Sequence, residues 1–137
     1  MDYLTEIKVR GYHADAYGHV NNARFLEFLE EDRWAHLDAS VDLDAWAKKG
    51  LFFLVVNINI NYRKPVLPGE TVLVGTSLEK IGTKSAVWKQ EIVIKDTGVR
   101  VTDARVTFVI GDLSGKAIVL EGKVLEEIKK IGNGTQH

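Results

Sequence analysis

Residues 21–37, NNARFLEFLEEDRWAHL, restrict the fold of this chain more than any other stretch. Phe25, Phe28 and Leu29 recur at i, i+3 and i+4, which predicts one face of an α-helix, and Leu26, Trp34 and Leu37 widen its apolar surface. No β-branched residue, glycine or proline interrupts the run, and Asn21 or Asn22 stands where an N-cap belongs. A helix this apolar needs cover on more than one side. A strongly curved sheet supplies such cover, and so does a second subunit.

Most of the remaining chain is written in strand patterns. TEIKVRG alternates strictly, with Ile7 and Val9 to one side and Glu6, Lys8 and Arg10 to the other. After a short second helix predicted in VDLDAWAKKG and closed by Gly50, LFFLVVNININ, TVLVGTSLEK, SAVWKQEIVIK and VRVTDARVTFVI are further strands. The turn signals LPGE, KIGTK, KDTG and DLSGK separate them, so the connections are short and the neighbours antiparallel. The expected class is α+β, a single domain over 1–137 in which a curved antiparallel sheet wraps one long helix, with about 132–137 a frayed polar tail.

Composition removes several kinds of function. The chain has 137 residues, 18 Lys plus Arg against 19 Asp plus Glu, and no cysteine. That balance argues against a nucleic-acid polyanion as partner while leaving room for a small anionic ligand. Thiolate metal sites, disulfides and cysteine nucleophiles are excluded. His13 and His19 stand six apart around Asp15, His36 and His137 lie elsewhere, and no HExxH spacing occurs, so no metal site is expected. MDYLTEIKVR is charged and alternating, unlike a signal peptide, and no apolar run approaches membrane-spanning length; a cytoplasmic protein is expected.

The candidate chemistry lies in HADAYGHVNN, residues 13–22. An aspartate beside Gly18 ordinarily organises a turn through its side chain. Asp15 is also a candidate general base or nucleophile towards an activated acyl group. His19, Asn21 and Asn22 stand at a helix start, where the first N–H groups lack intrahelical partners and meet developing negative charge on a carbonyl oxygen. Capping explains one asparagine, but not both together with a histidine. Glu27, Glu30 and Glu31 read as a solvated stripe answering Arg24 and Arg33, with an alternative base held in reserve among them. The compact basic patches are Arg63–Lys64 and the turn carrying Lys80, Lys84 and Ser85, where free backbone N–H groups add to the cations.

VRGYHADAYGHVNNARFLEFLEEDR resembles the opening of hotdog-fold acyl-CoA thioesterases of the 4-hydroxybenzoyl-CoA thioesterase family, in the branch carrying D-x-x-G-H-V-N-N. NYRKPVLPGETV and LEKIGTKS are similar to that family's later strand end and hairpin, so the resemblance spans nearly the whole chain. It implies the hotdog fold and hydrolysis of an acyl-CoA to a carboxylic acid and free coenzyme A. No cofactor is implied, since coenzyme A is part of the substrate. It further implies a homodimer, paired into a dimer of dimers, with active sites at the dimer interface. The family's catalytic carboxylate falls on Asp15 and its carbonyl-polarising helix-start N–H on Asn22, with His19 and Asn21 orienting the loop or a water. Contacts to the coenzyme A phosphates fall near Lys84 and Ser85. Tyr17, Gly18, Phe25, Phe52 and Phe53 stand around the substrate.

One departure stands out. Many members carry a second aspartate two positions before the catalytic one, where this chain has His13, which is expected to alter the pH profile. The glutamate-on-helix variant of the fold would recruit Glu27, Glu30 or Glu31. The rival functions are hydrolysis of acyl-carrier-protein thioesters and acyl-thioester binding without catalysis; the histidine-centred motifs of hotdog hydratases are missing.

Overall fold

The computed structural model describes residues 1–132. Strand β1 (Asp2–Lys8) leads through a single 3-10 turn (Gly11–His13) to helix α1 (Asn22–Ser40) and the short α2 (Leu43–Lys48). Strands β2 (Phe52–Tyr62), β3 (Thr71–Ile81), β4 (Ser85–Ile94) and β5 (Arg100–Gly111) follow, and α3 (Gly122–Ile128) ends the described chain. The five strands form one antiparallel sheet in the order β1-β3-β4-β5-β2, so β1 and β2 are its edges. The α+β hotdog architecture is present: a curved antiparallel sheet carries the long central helix, which packs on β1, β3 and β4.

Local chemistry sets the helix ends. The Asn21 side chain accepts the Ala23 N–H at 2.8 Å, so Asn21 is the N-cap and Asn22 the first helical residue. Helix α2 is capped by Asp42, and Gly50 follows it at φ 73°, the left-handed geometry that ends helices. Helix α3, for which no pattern was apparent in the sequence, has no side-chain cap hydrogen bond and is held by packing of Ile128 and by the Trp46 indole donating to Glu127. Ile131 and Gly132 are buried as well, so the chain stays docked up to residue 132; the tail expected to fray lies otherwise outside the described residues.

Phe25, Phe28 and Leu29 pack with Val9, Val74 and Ile92 around the first half of α1, whereas Leu37 joins Trp46, Trp88 and Phe108 around its second half. Two side chains counted as part of the apolar face, Leu26 and Trp34, are 36% and 47% exposed, because they lie about 100° and 180° round the helix from Phe25, off its buried face. The side of α1 turned to β1, β3 and β4 instead buries polar groups. Asp32 accepts Thr5 Oγ1–H at 2.8 Å and Thr76 Oγ1–H at 2.6 Å, and Gln90 donates to the Leu29 carbonyl at 2.9 Å. Arg33, expected on a solvated stripe, is buried and donates to Gln90 Oε1 at 3.0 Å.

A bulge between Val55 and Asn57 divides β2. It shifts the alternation by one residue, so Phe53 and Val55 before it and Ile58, Ile60 and Tyr62 after it share the helix side of the sheet. Phe52 therefore points outward and is 41% exposed; it does not join Phe53 in a substrate wall.

Candidate active site

The loop between the 3-10 turn and α1 is held by its own backbone. Asp15 N–H donates to the His19 carbonyl at 2.9 Å, Gly18 N–H to the Asp15 carbonyl at 3.0 Å, and Val20 N–H to the Val66 carbonyl at 2.9 Å. Gly18 stands at φ +78°, and a Cβ there would meet nothing within 4 Å, so glycine is required by backbone conformation and not by space. Asp15 Oδ1 accepts the Tyr17 N–H at 2.9 Å. The turn role of Asp15 is thus real, and it occupies one carboxylate oxygen.

Asp15, Tyr17, His19 and Asn22 share a cleft of about 490 Å³ with Phe25 and Tyr62. Asn21 N–H donates to the His13 carbonyl, Ala23 N–H to the Asn21 side chain and Arg24 N–H to the Asn21 carbonyl. Asn22 N–H, between them, has no acceptor among the described residues. Tyr62, which sequence reading did not single out, donates from its hydroxyl to the Asn22 carbonyl at 3.2 Å and packs its ring on Phe25 at 5.8 Å. Its only sequence signal was its place at the end of an alternating strand.

The basic pair Arg63 and Lys64 lines the same cleft. Arg63 hydrogen-bonds Asp103 through its Nε, and that contact holds the Asp103 carboxyl below the usual carboxylate range. Lys64 is exposed, with no side-chain partner among the described residues, and is the free cation of the cleft. Lys84 and Ser85 are not brought there within this chain. Ser85 pairs with Val109 and Tyr62 with Thr102 on the same β5, seven residues and about 23 Å apart.

His13 is buried beside the site. Its Nδ1 accepts the Arg10 N–H at 2.9 Å, and its ring meets the Phe28 edge at 5.1 Å. Burial, with Arg24 nearby, pushes its pKa below the ordinary histidine value, and the Arg10 N–H on Nδ1 leaves Nε2 as the ring's N–H. It anchors the loop from beneath. Among the helix glutamates, Glu27 pairs with Arg24 at 3.0 Å, and Glu30 accepts the Trp34 indole N–H at 3.2 Å; neither lines the Asp15 cleft.

The fold is that of the hotdog proteins, and a carboxylate sharing a cleft with an unpaired helix-start amide is equipment for attack on an activated carbonyl. A family model, the thioesterase superfamily, matches residues 17–101, beginning two residues after Asp15. The chain is 44% identical over 128 residues to the long-chain acyl-CoA thioesterase FadM of Escherichia coli, an alignment covering 93% of this chain and 97% of that protein. The crystal structure of the probable thioesterase YbaW from Escherichia coli superposes with a TM-score of 0.89 at 43% identity, covering 96% of this chain and 99% of the other. A 1,4-dihydroxy-2-naphthoyl-CoA thioesterase from Synechocystis shares the fold at a TM-score of 0.82 and 18% identity, covering 98% of each chain. The chain belongs to the thioesterase superfamily.

Proposed function

We propose that this thioesterase hydrolyses acyl-CoA, with Asp15 and the Asn22 N–H as its chemical centre. The observation that carries the reading is their shared cleft, in which Asn22 offers a helix-start N–H that nothing in the described chain occupies. The Asp15 oxygen not engaged by Tyr17 takes a proton from water, and the water oxygen attacks the thioester carbon. Negative charge gathers on the carbonyl oxygen, facing the Asn22 N–H and the positive end of α1. Collapse breaks the C–S bond and expels the coenzyme A thiolate, which is then protonated. Direct attack by the same Asp15 oxygen, followed by hydrolysis of the anhydride, gives the same balance. His19 and Asn21 hold the loop and its water, and Tyr17, Gly18 and Phe25 frame the acyl group. The relation to a long-chain enzyme favours a long acyl chain.

A homodimer belongs to this reading. Strand β2 is a long, unpaired edge, with Leu54 and Val56 exposed on it. Two-fold antiparallel pairing of β2 with its copy reverses the strand direction, bringing one subunit's Lys84 and Ser85 towards the other's Asp15 cleft. There they join Lys64 in meeting the coenzyme A phosphates. Pairing of two dimers and a cytoplasmic location follow from the family resemblance; no helix among the described residues is long and apolar enough to cross a membrane.

The test is release of free thiol from a panel of acyl-CoAs, with acyl-carrier-protein thioesters in parallel. Asp15→Asn and Asp15→Ala are expected to lower kcat by at least ~100-fold, the scale of general-base catalysis. Undiminished turnover in both variants removes Asp15 from the mechanism, and absence of thiol release from the unaltered protein leaves a binder.

A further inference from the structure

Asn22 carries its free N–H on one side of its Cα and a peptide plane held at both ends on the other. The plane joining Asn22 to Ala23 has its carbonyl hydrogen-bonded by the Tyr62 hydroxyl at 3.2 Å and its N–H accepted by the Asn21 side chain at 2.8 Å. Helical pairing with the N–H four residues on occupies one lone pair of that carbonyl, and Tyr62 occupies the other. Among the described residues this is the one side-chain hydrogen bond between α1 and β2. The strands on which α1 chiefly packs are β1, β3 and β4.

Tyr62 is itself firmly placed. It ends β2 opposite Thr102 of β5, and the two N–H groups after it, those of Arg63 and Lys64, both donate to the Val101 carbonyl, at 2.8 and 3.2 Å. Its ring lies on the buried Phe25, which fixes where the hydroxyl can reach. The residue is 40% exposed, so water would satisfy the hydroxyl equally well. The bond to Asn22 therefore adds little to stability, and its effect is on direction.

Direction matters for a donor that stabilises an oxyanion, because a misplacement of about 1 Å costs on the order of 100-fold in rate. The plane before Asn22 is held at one end alone, where the Asn21 carbonyl takes the Arg24 N–H at 2.9 Å; its other end is the free N–H. Only φ and ψ of Asn22 separate that N–H from the plane that Tyr62 and Asn21 clamp.

Resting on the acyl-CoA thioesterase reading, we infer that Tyr62 is a positioning residue, whose hydroxyl holds the first helical peptide and so aims the Asn22 N–H at the thioester carbonyl. It makes and breaks no bond of the substrate. It acts through Asn22.

The experiment begins with Tyr62→Phe, which keeps the ring on Phe25 and removes only the hydroxyl. Turnover of acyl-CoA is expected to fall about 10-fold in kcat, the scale of one neutral hydrogen bond, with KM and Tm nearly unchanged. In the Asn22→Pro protein, where the N–H is already gone, Tyr62→Phe is expected to cause no further loss. An unchanged kcat, an effect on KM alone, or a second full loss in the proline protein overturns the inference. Amide hydrogen exchange supplies a readout without turnover. Exchange at Ala23 is expected to quicken about 10-fold in Tyr62→Phe while amides of the central strands keep their rates, since its plane has lost one of two holds. Unaltered exchange at Ala23 overturns the inference as well. Should the proline protein fail to fold, the split between kcat and KM and the Ala23 exchange decide. A protein inert towards every acyl-CoA defeats the thioesterase reading, while the Ala23 exchange still decides whether Tyr62 holds the peptide.

Discussion

His36 Nε2 lies 3.2 Å from Asp32 Oδ2, one helical turn away on α1, and both side chains are sealed from solvent. The same Asp32 takes hydroxyl hydrogen bonds from β1 and β3 through Thr5 and Thr76. The carboxylate thus fastens the helix to two strands from within the core. Replacing it takes the acceptor from the Thr5 and Thr76 hydroxyls and leaves His36 Nε2 only the Asp2 carbonyl at 3.2 Å, so Asp32→Ala is expected to lower unfolding free energy by about 3 kcal/mol. Asp32→Asn retains one acceptor oxygen and should lose less. Urea titration of the three proteins checks the order, and equal stabilities would contradict it.

Asn22 can lose its N–H without losing its helix. Proline is favoured at the first helical position, and Asn21 before it already has φ −63° and ψ 138°, which a following proline accepts. Asn22→Pro is expected to reduce kcat about 100-fold, the scale of one oxyanion donor, while shifting Tm by only a few degrees. Asn22→Ala, which keeps the N–H, separates the backbone from the side chain and should stay near full activity.

The histidine at the family's second acid position gives a pH signature. Its folded pKa lies below the unfolded value of 6.5, so below that value the unfolded chain takes up a proton that the folded one refuses. This contribution to stability is full above pH 6.5 and is lost as pH falls towards the folded pKa. His13→Gln is expected to flatten that part of the profile, as read from the difference between the two proteins' denaturation midpoints across pH 7.5 to about 5. Parallel profiles for the two proteins would rule it out.

The β2 edge predicts an assembly that one charge can break. Val56 stands at the bulge and is 58% exposed. Val56→Lys places a cation on the pairing edge and is expected to shift sedimentation from dimer to monomer at micromolar concentration. Activity should fall with it, since Lys84 and Ser85 of the second subunit leave the cleft. An unchanged sedimentation profile would mean that β2 is not the interface.

Some elements were legible because their causes are local. The 3.6-residue period of α1, an asparagine cap at its start and the glycine after α2 each act within a few residues; the structure has all three and chooses Asn21 between the two asparagines that the sequence offered. Helix α3 escaped notice because seven residues without a side-chain cap have little helical tendency of their own. Contacts with Trp46 hold it instead. Phe52 and Phe53 are both apolar neighbours, and nothing local says which faces inward; the bulge three residues on and the pairing with β5 decide.

The candidate site divides in the same way. HADAYGHVNN by itself carries a turn-forming aspartate, a glycine and a helix start, because hydrogen bonding between near neighbours is written in residue type. That Asn22 N–H is left unpaired, that Tyr62 and Lys64 arrive from the end of β2 and the loop after it, forty residues on, and that Lys84 stays at the far end of the sheet were decided by tertiary structure alone. So were the hydrogen-bond partners of Asp32, Arg33 and His36, which a helical wheel places on or beside the Phe25 face although their residue types suggest solvent. Charge is a poor guide to depth where several strands offer matched hydrogen bonds, since a satisfied polar group can be buried and its partners come from elsewhere in the chain.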